Sequence, residues 1–254
     1  MVEMNILHIN SNYDQSSIYP NMARYMIRHC NLKGKVYFPV SDSKKVETLK
    51  AEFLDISNCL NSFDRYFYFY RNRKLFSDVK SRYNLNDFSH VLAYSLFSNG
   101  YLAYTIKKKY SIPYIVIVQN TDVNLYFEKV FFLRDVGRKI LRNADKVIFI
   151  SQPYKELVLN KFLGLRDKIN IQRKSFVIPF GIDDFWFNNL MMNERKQLNI
   201  EEIKLLFVGK VNRNKNITNV IKACKKLLEL GVKTTFTIVG NIENLELGNS
   251  LKTY

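Results

Sequence analysis

Cysteine, histidine and glycine are scarce in this chain of 254 residues, and each shortage closes off a class of protein. The three cysteines, Cys30, Cys59 and Cys224, are odd in number and far apart, which suits neither a disulfide framework nor a zinc site. A reducing compartment is the reading that follows. The three histidines, scattered among them, give no metal constellation, so no metal is expected. No apolar run approaches the roughly 18 residues of a membrane-spanning helix. The opening residues Met1-Val2-Glu3-Met4-Asn5 lack a basic segment followed by a long apolar one, so no signal peptide is expected. A cytoplasmic location follows, with peripheral attachment to the inner face of a membrane left open.

Positive charge and apolar bulk are what the chain has in quantity. Hydrophobic residues at 47% and aromatics at 14% belong to a core-forming protein and exclude a disordered one. Against 23 acidic residues stand 39 Lys and Arg, a net charge of +16 that favours anionic partners. At this length one full domain and part of another are expected.

Short β-rich runs alternate with helical patterns. Strands are predicted at 5–10, 35–40, 90–94, 114–118, 146–150, 175–178, 205–208 and 234–239. Helices are predicted at 21–28, 65–82, 100–110, 128–143, 153–162 and 217–230. Ile115-Val116-Ile117-Val118 and Val147-Ile148-Phe149-Ile150 are apolar at consecutive positions, as in parallel strands covered on both faces. The alternation predicts a doubly wound α/β fold. Pro179 and Gly181 stop a strand, residues 185–202 read as a connector, and a new βαβ unit opens at about Ile203. The predicted division is 1–184, 185–202 and 203–254. Phe185, Trp186 and Phe187 read as packing residues between the halves.

Gly209-Lys210-Val211-Asn212-Arg213-Asn214-Lys215-Asn216 lies between an apolar strand and an amphipathic helix that Gly231 ends. Two lysines beside a helix N-terminus make a place for a diphosphate, since N–H groups and the positive end of the helix dipole converge there. On this motif alone a solvated basic loop is the competing reading. Gln119, Asn120 and Asp122 sit where open α/β sheets hold ligands, at the end of a buried strand. They read equally as good turn residues. Residues 63–83 interleave Phe63, Tyr66, Phe67, Tyr68, Phe69 and Tyr70 with Arg65, Arg71, Arg73, Lys74, Lys80 and Arg82. The favoured reading is a helix that buries its rings and exposes its charge. The functional one is a membrane surface. His8 and His90 read as half-buried, satisfied side chains.

The phrases occur in a particular order: His90-Val-Leu-Ala-Tyr-Ser95, Ser98-Asn-Gly100, Ile112-Pro-Tyr-Ile-Val-Ile-Val-Gln-Asn-Thr-Asp122, Ala144-Asp-Lys-Val-Ile-Phe-Ile-Ser151, Val177-Ile-Pro-Phe-Gly-Ile-Asp183, then Gly209-Lys210 and Lys215. Together they resemble glycosyltransferase family 4, the retaining enzymes of the GT-B fold, from about Met4 to Gly240. The resemblance implies two Rossmann-like domains, with an acceptor-side domain first and a nucleotide-sugar domain second. It implies that Lys210 and Lys215, with Gly209, grip the donor diphosphate. Gln119, Asn120 and Asp122 then lie toward the sugar and acceptor.

Several positions depart from the family pattern. Lys210 replaces the usual arginine and loses its planar fork. Gln119 stands where many members carry histidine, so it cannot titrate, and Asn120 takes a common glycine position. The loop Ser11-Asn-Tyr-Asp-Gln-Ser-Ser17 lacks the paired glycines of many members. The paired-glutamate motif, expected well beyond Gly240, is not in the chain, so the second domain reads as incomplete.

The function implied is sugar transfer from a nucleotide-sugar to a saccharide or lipid-linked acceptor, in the setting of surface polysaccharide biosynthesis, with no cofactor. The isolated chain is expected to turn over no nucleotide-sugar, and measured turnover would refute that. The alternative is a non-catalytic basic α/β module on a membrane surface or nucleic acid, although no nucleic acid is expected. A dinucleotide enzyme is disfavoured because neither 10–17 nor 209–215 has the Gly-rich fingerprint.

Overall fold

Tyr114–Val118 (β5) and Lys146–Phe149 (β6) are apolar at consecutive positions because helices cover the sheet on both faces. A computed structural model describes residues 4–29, 32–41, 51–190 and 202–242. Cys30 and most of the predicted connector lie outside the described residues. The other strands of the first sheet are Asn5–Ile9 (β1), Lys33–Pro39 (β2), Leu54–Ser57 (β3), His90–Ala93 (β4) and Ser175–Val177 (β7). All seven are parallel, in the order β3-β2-β1-β4-β5-β6-β7. The chain winds one way from β1 and the other way from β4, so the topological switch point falls between these two neighbours.

Side chains alternate across the strands, and β1 shows the consequence. Leu7 and Ile9 enter one core with Leu75, Leu102 and Ile140. Ile6 enters the other with Tyr19, Ala23 and Phe38. The first core is roofed by Tyr68–Arg82 (α2), Gly100–Tyr110 (α3) and Arg134–Asn143 (α4), and the second by Ile18–His29 (α1). Pro20 falls in the first turn of α1, where a missing N–H breaks no helical bond.

Tight and wide helical turns separate the expected boundaries from the observed ones. The predicted helix at 128–143 begins only at Arg134, after a wide turn at Asp122–Phe127 and a tight one at Phe131–Leu133. That at 153–162 is a short helix, Gln152–Leu157 (α5), running into a wide turn at Val158–Phe162. Sequence reading missed β3, an edge strand of four residues that are mostly half-buried. It also missed Leu165–Arg173 (α6), which buries only Ile171 and so carries little periodicity. Asp184–Asn188 (α7), read as connector, is a short helix capped by the Asp183 carboxylate, which accepts the N–H of Phe185.

The expected burial of the 63–83 rings holds for Tyr68, Phe76 and Tyr83, which pack against the first core, and fails for the others. The helix starts at Tyr68 because Asn61 and Asp64 form a local turn ahead of it. That turn leaves Phe63 71%, Tyr66 67% and Phe67 63% exposed, and Phe69 and Tyr70 are exposed as well. The Arg65 guanidinium sits over the Tyr66 ring and the Lys74 ammonium over Tyr70. Phe185, Trp186 and Phe187 are exposed as well.

The chain divides into two compact units, 1–189 and 190–254. The second contains Glu202–Val208 (β8), Ile217–Glu229 (α8) and Lys233–Val239 (β9). Its two strands pair in parallel from Glu202 opposite Lys233 to Val208 opposite Val239. The helix buries Ile217 and Cys224, and Gly231 ends it at φ +82 as the sequence predicts. Leu228 is exposed. On the sheet, Leu205 and Phe207 are half-buried while Leu206, Val208 and Val239 are exposed.

Candidate functional site

The C-terminal ends of β1, β4 and β5 gather a polar cluster around one carboxylate. Asp122 is 1% exposed and accepts three backbone N–H groups. Those of Leu96 and Gln119 meet Oδ2 at 2.9 Å each, and that of Phe97 meets Oδ1 at 3.0 Å. Burial pushes its pKa up to about 6, with the three N–H bonds opposing that rise. Gln119 is also enclosed. Its Oε1 accepts the Tyr19 hydroxyl at 2.9 Å, and its Nε2 donates to the Tyr94 carbonyl. Of the three residues assigned to the sugar and acceptor side, only Asn120 is exposed. The geometry of Gln119 and Asp122 is that of braces tying the loops after β4 and β5 together.

A second polar chain joins β1 to α3. Asn99 precedes α3, and its Oδ1 accepts both the backbone N–H of Ser11 at 3.2 Å and the Ser11 hydroxyl at 2.6 Å. Arg71, in the first turn of α2, donates from Nη2 to the Ser11 hydroxyl at 3.1 Å and from Nη1 to the Ser98 carbonyl at 3.0 Å. Sequence reading placed Arg71 among solvated cations. The signal it missed is position: Arg71 lies three residues after Tyr68 and four before the buried Leu75, on the inward stripe of α2.

His8, expected to be half-buried, is fully buried. Its Nδ1 meets the Tyr94 hydroxyl at 3.1 Å, and burial lowers its pKa to about 4. The folded protein therefore holds His8 neutral while the unfolded chain takes up a proton below about pH 6.5. The stability that neutral His8 permits is complete above pH 6.5 and is lost as the pH falls toward 4. Asp122, with its raised pKa, acts in the opposite sense between about pH 4 and 6. Urea unfolding at several pH values should show wild type gaining on His8→Gln by about 3 kcal/mol from pH 4 to 6.5, at about 1.36 kcal/mol per pH unit. A difference that stays constant with pH would rule this out.

In the second unit, Lys210 and Lys215 lie on the connection from the end of β8 to the start of α8, as predicted, and both are exposed. Lys215 closes a tight turn, Arg213–Lys215, and Asn216 then adopts φ +53 before the helix begins. Asn is among the few residues that tolerate this left-handed conformation. Gly209 and Gly240 end the two strands at φ +154 and +152. A Cβ on Gly240 would stand 1.9 Å from the Gly209 carbonyl oxygen, so the strand ends close to a spacing only glycine permits there.

Among the described residues no group of three or more His, Cys, Asp or Glu side chains gathers to hold a metal ion. No helix of the described residues is long and apolar enough to cross a membrane.

No protein-family model matches the chain. An uncharacterised glycosyltransferase of Methanocaldococcus jannaschii is 30% identical over 118 residues, which is 46% of this chain and 28% of that protein. The chain therefore matches less than a third of this curated relative. The catalytic domain of starch synthase IV from Arabidopsis thaliana, bound to ADP and acarbose, superposes with a TM-score of 0.60 at 9% identity, over 99% of this chain and 71% of that one. The UDP-GlcNAc 2-epimerase of Neisseria meningitidis, bound to UDP-GlcNAc, gives 0.55 at 13% identity, over 99% and 68%. These likenesses are likenesses of fold: a parallel α/β architecture of the GT-B, Rossmann-like kind. A transferase and an epimerase share it, so the fold alone does not select the reaction.

Proposed function

We propose that this protein takes part in transfer of a sugar from a nucleotide-sugar to a saccharide or lipid-linked acceptor, with retention at the anomeric carbon, in surface polysaccharide biosynthesis. The observation that carries the reading is the β8–α8 connection, where Gly209, Lys210 and Lys215 stand at the end of a parallel strand and the start of a helix. Backbone N–H groups, the helix dipole and two ammonium groups favour a diphosphate there. As the glycosidic bond breaks, negative charge grows on the departing nucleoside diphosphate, and cations fixed beforehand stabilise it without reorganising. Lysine charge supplies this neutralisation with no metal in the proposal. The order of phrases along the chain and the fold likeness to nucleotide-sugar proteins support the assignment.

The test is binding to the intact chain. Calorimetric titration with UDP and with uridine should show heat for the diphosphate and much less for the nucleoside. Equal affinity for both would remove the diphosphate grip from the reading.

A second reading, a basic module without catalysis on an anionic membrane, is favoured by one observation: Phe63, Tyr66 and Phe67 project beside Arg65. Salt-sensitive capture by anionic vesicles, unchanged when Lys210 and Lys215 are replaced, would support that reading.

A further inference from the structure

We infer that Arg71, Ser11 and Asn99 form a binding site for a phosphate carried by the acceptor. The word "acceptor" rests on the glycosyl-transfer reading, whereas the anion site rests on the geometry of the first unit alone.

Arg71 is the starting point. A guanidinium has five N–H donors. Two are engaged by the Ser98 carbonyl and the Ser11 hydroxyl, both neutral, which leaves three. Among the described residues no carboxylate stands within ion-pairing distance of Arg71, Asp64 feels its charge only at longer range, and burial lowers the Arg71 pKa. A half-buried cation whose two hydrogen-bond partners are neutral, and whose nearby carboxylate Asp64 is already paired with Lys74, has capacity left for an anion.

Its surroundings are also short of acceptors. The Asn99 Oδ1 is fixed by accepting the Ser11 N–H, so the other end of that amide is the NH2 donor, and it is buried without a hydrogen-bond partner. Asn10 repeats the pattern. Its Oδ1 accepts the Asn12 N–H at 3.0 Å, and its Nδ2 is buried and unpartnered. The Ser95 hydroxyl, on the same β4–α3 connection, is buried and unpartnered too. Buried donors without acceptors are rare in folded proteins and call for an acceptor.

Position selects what that acceptor is. Asn10 and Ser11 leave the end of β1 and Ser95 to Asn99 leave the end of β4, the two strands that flank the topological switch point. The eleven-residue helix α3 starts directly after Asn99, and Arg71 lies in the first turn of α2, so two positive helix ends flank the cluster. A guanidinium fork beside helix N-termini favours a phosphate, which is anionic and accepts hydrogen bonds, and the unpartnered Asn99 amide stands next to it across Ser11. Neutral hydroxyls of a plain saccharide would leave the guanidinium charge unmatched. Ser11, Ser98 and Arg71 are half-buried and form the accessible side, and Asn10 and Asn99 lie beneath.

The experiment separates this site from the lysine site. Inorganic phosphate is titrated into the Lys210→Ala/Lys215→Ala chain and followed by phosphorus NMR line width. Binding is expected to persist there, and to weaken by about tenfold to a hundredfold when Arg71→Gln is added. Arg71→Lys should recover only part of it, because the fork is lost. Since Arg71 also holds two loops, Ser11→Asp is the second variant. A carboxylate beside the guanidinium should abolish phosphate binding, with circular dichroism showing that the variant is folded.

Two competitors then identify the source. Displacement by glucose 1-phosphate points to a soluble sugar phosphate, and displacement by a prenyl phosphate in phosphatidylcholine vesicles points to a lipid headgroup. The proposal is overturned if the lysine double variant binds no phosphate, if folded Arg71→Gln and Ser11→Asp bind it normally, or if neither competitor displaces it. UDP binding measured on Arg71→Gln with both lysines in place should stay near wild type if the lysines hold the diphosphate, so the donor reading stands or falls separately.

Discussion

Replacing Asp122 with alanine should cost the protein roughly 3 kcal/mol of stability at neutral pH. The carboxylate is the acceptor for the N–H groups of Leu96, Phe97 and Gln119, and each buried donor left without a partner costs about 1–3 kcal/mol. Removing an ionised group whose pKa burial has raised from 3.8 to about 6 returns about 3 kcal/mol of that. The loss wins because three donors are orphaned together. Asp122→Asn should fall between the two: one amide oxygen can serve Leu96 and Gln119, but its NH2 then faces the Phe97 N–H. Thermal unfolding should show Asp122→Ala lower by roughly 5–15 °C. Asn120→Ala, at the exposed neighbour, should change little. Equal melting of Asp122→Ala and wild type would mean that the loops do not depend on this carboxylate.

Lys210 and Lys215 carry the second large effect. A charge-assisted hydrogen bond contributes about 1.5–3 kcal/mol, so each lysine replaced by alanine should weaken UDP binding roughly tenfold to a hundredfold. The two lie five positions apart on one connection and meet the same diphosphate in this reading, so the double variant should lose less than the product of the single losses. Lys210→Arg should bind at least as well as wild type, since it restores the planar fork. Uridine affinity should be indifferent to all of these changes. If the alanine variants bind UDP as wild type does, the diphosphate lies elsewhere and the sugar-transfer proposal loses its support.

What the sequence disclosed follows from how much context each element needs. Strands β4, β5 and β6 were legible because burial on both faces writes a continuous apolar run. The β8–α8 connection was legible because a strand, a glycine and an amphipathic helix follow one another within a short span. Edge strand β3 was not, since it pairs on one side only and needs less apolar surface. The 63–83 stripe misled because residue type alone cannot say whether a ring faces a sheet. The Asn61–Asp64 turn delays the helix and leaves Phe63, Tyr66 and Phe67 outside. Gln119 and Asp122 were legible as special but not in role, because their partners lie 25 or more residues away, on Tyr94, Leu96, Phe97 and Tyr19. Arg71 stayed hidden for the same reason, with its partners at Ser11 and Ser98.

The Asp122 brace has a mechanical consequence. One carboxylate holds the backbone of both the β4–α3 and β5 segments, so these two cannot shift independently. A guest settling against Asn99 therefore meets a wall set in advance, and little ordering is required on that side when it arrives. Whatever adaptation different guests demand must come from the β1 side, where Ser11 is held by side-chain bonds that can exchange partners.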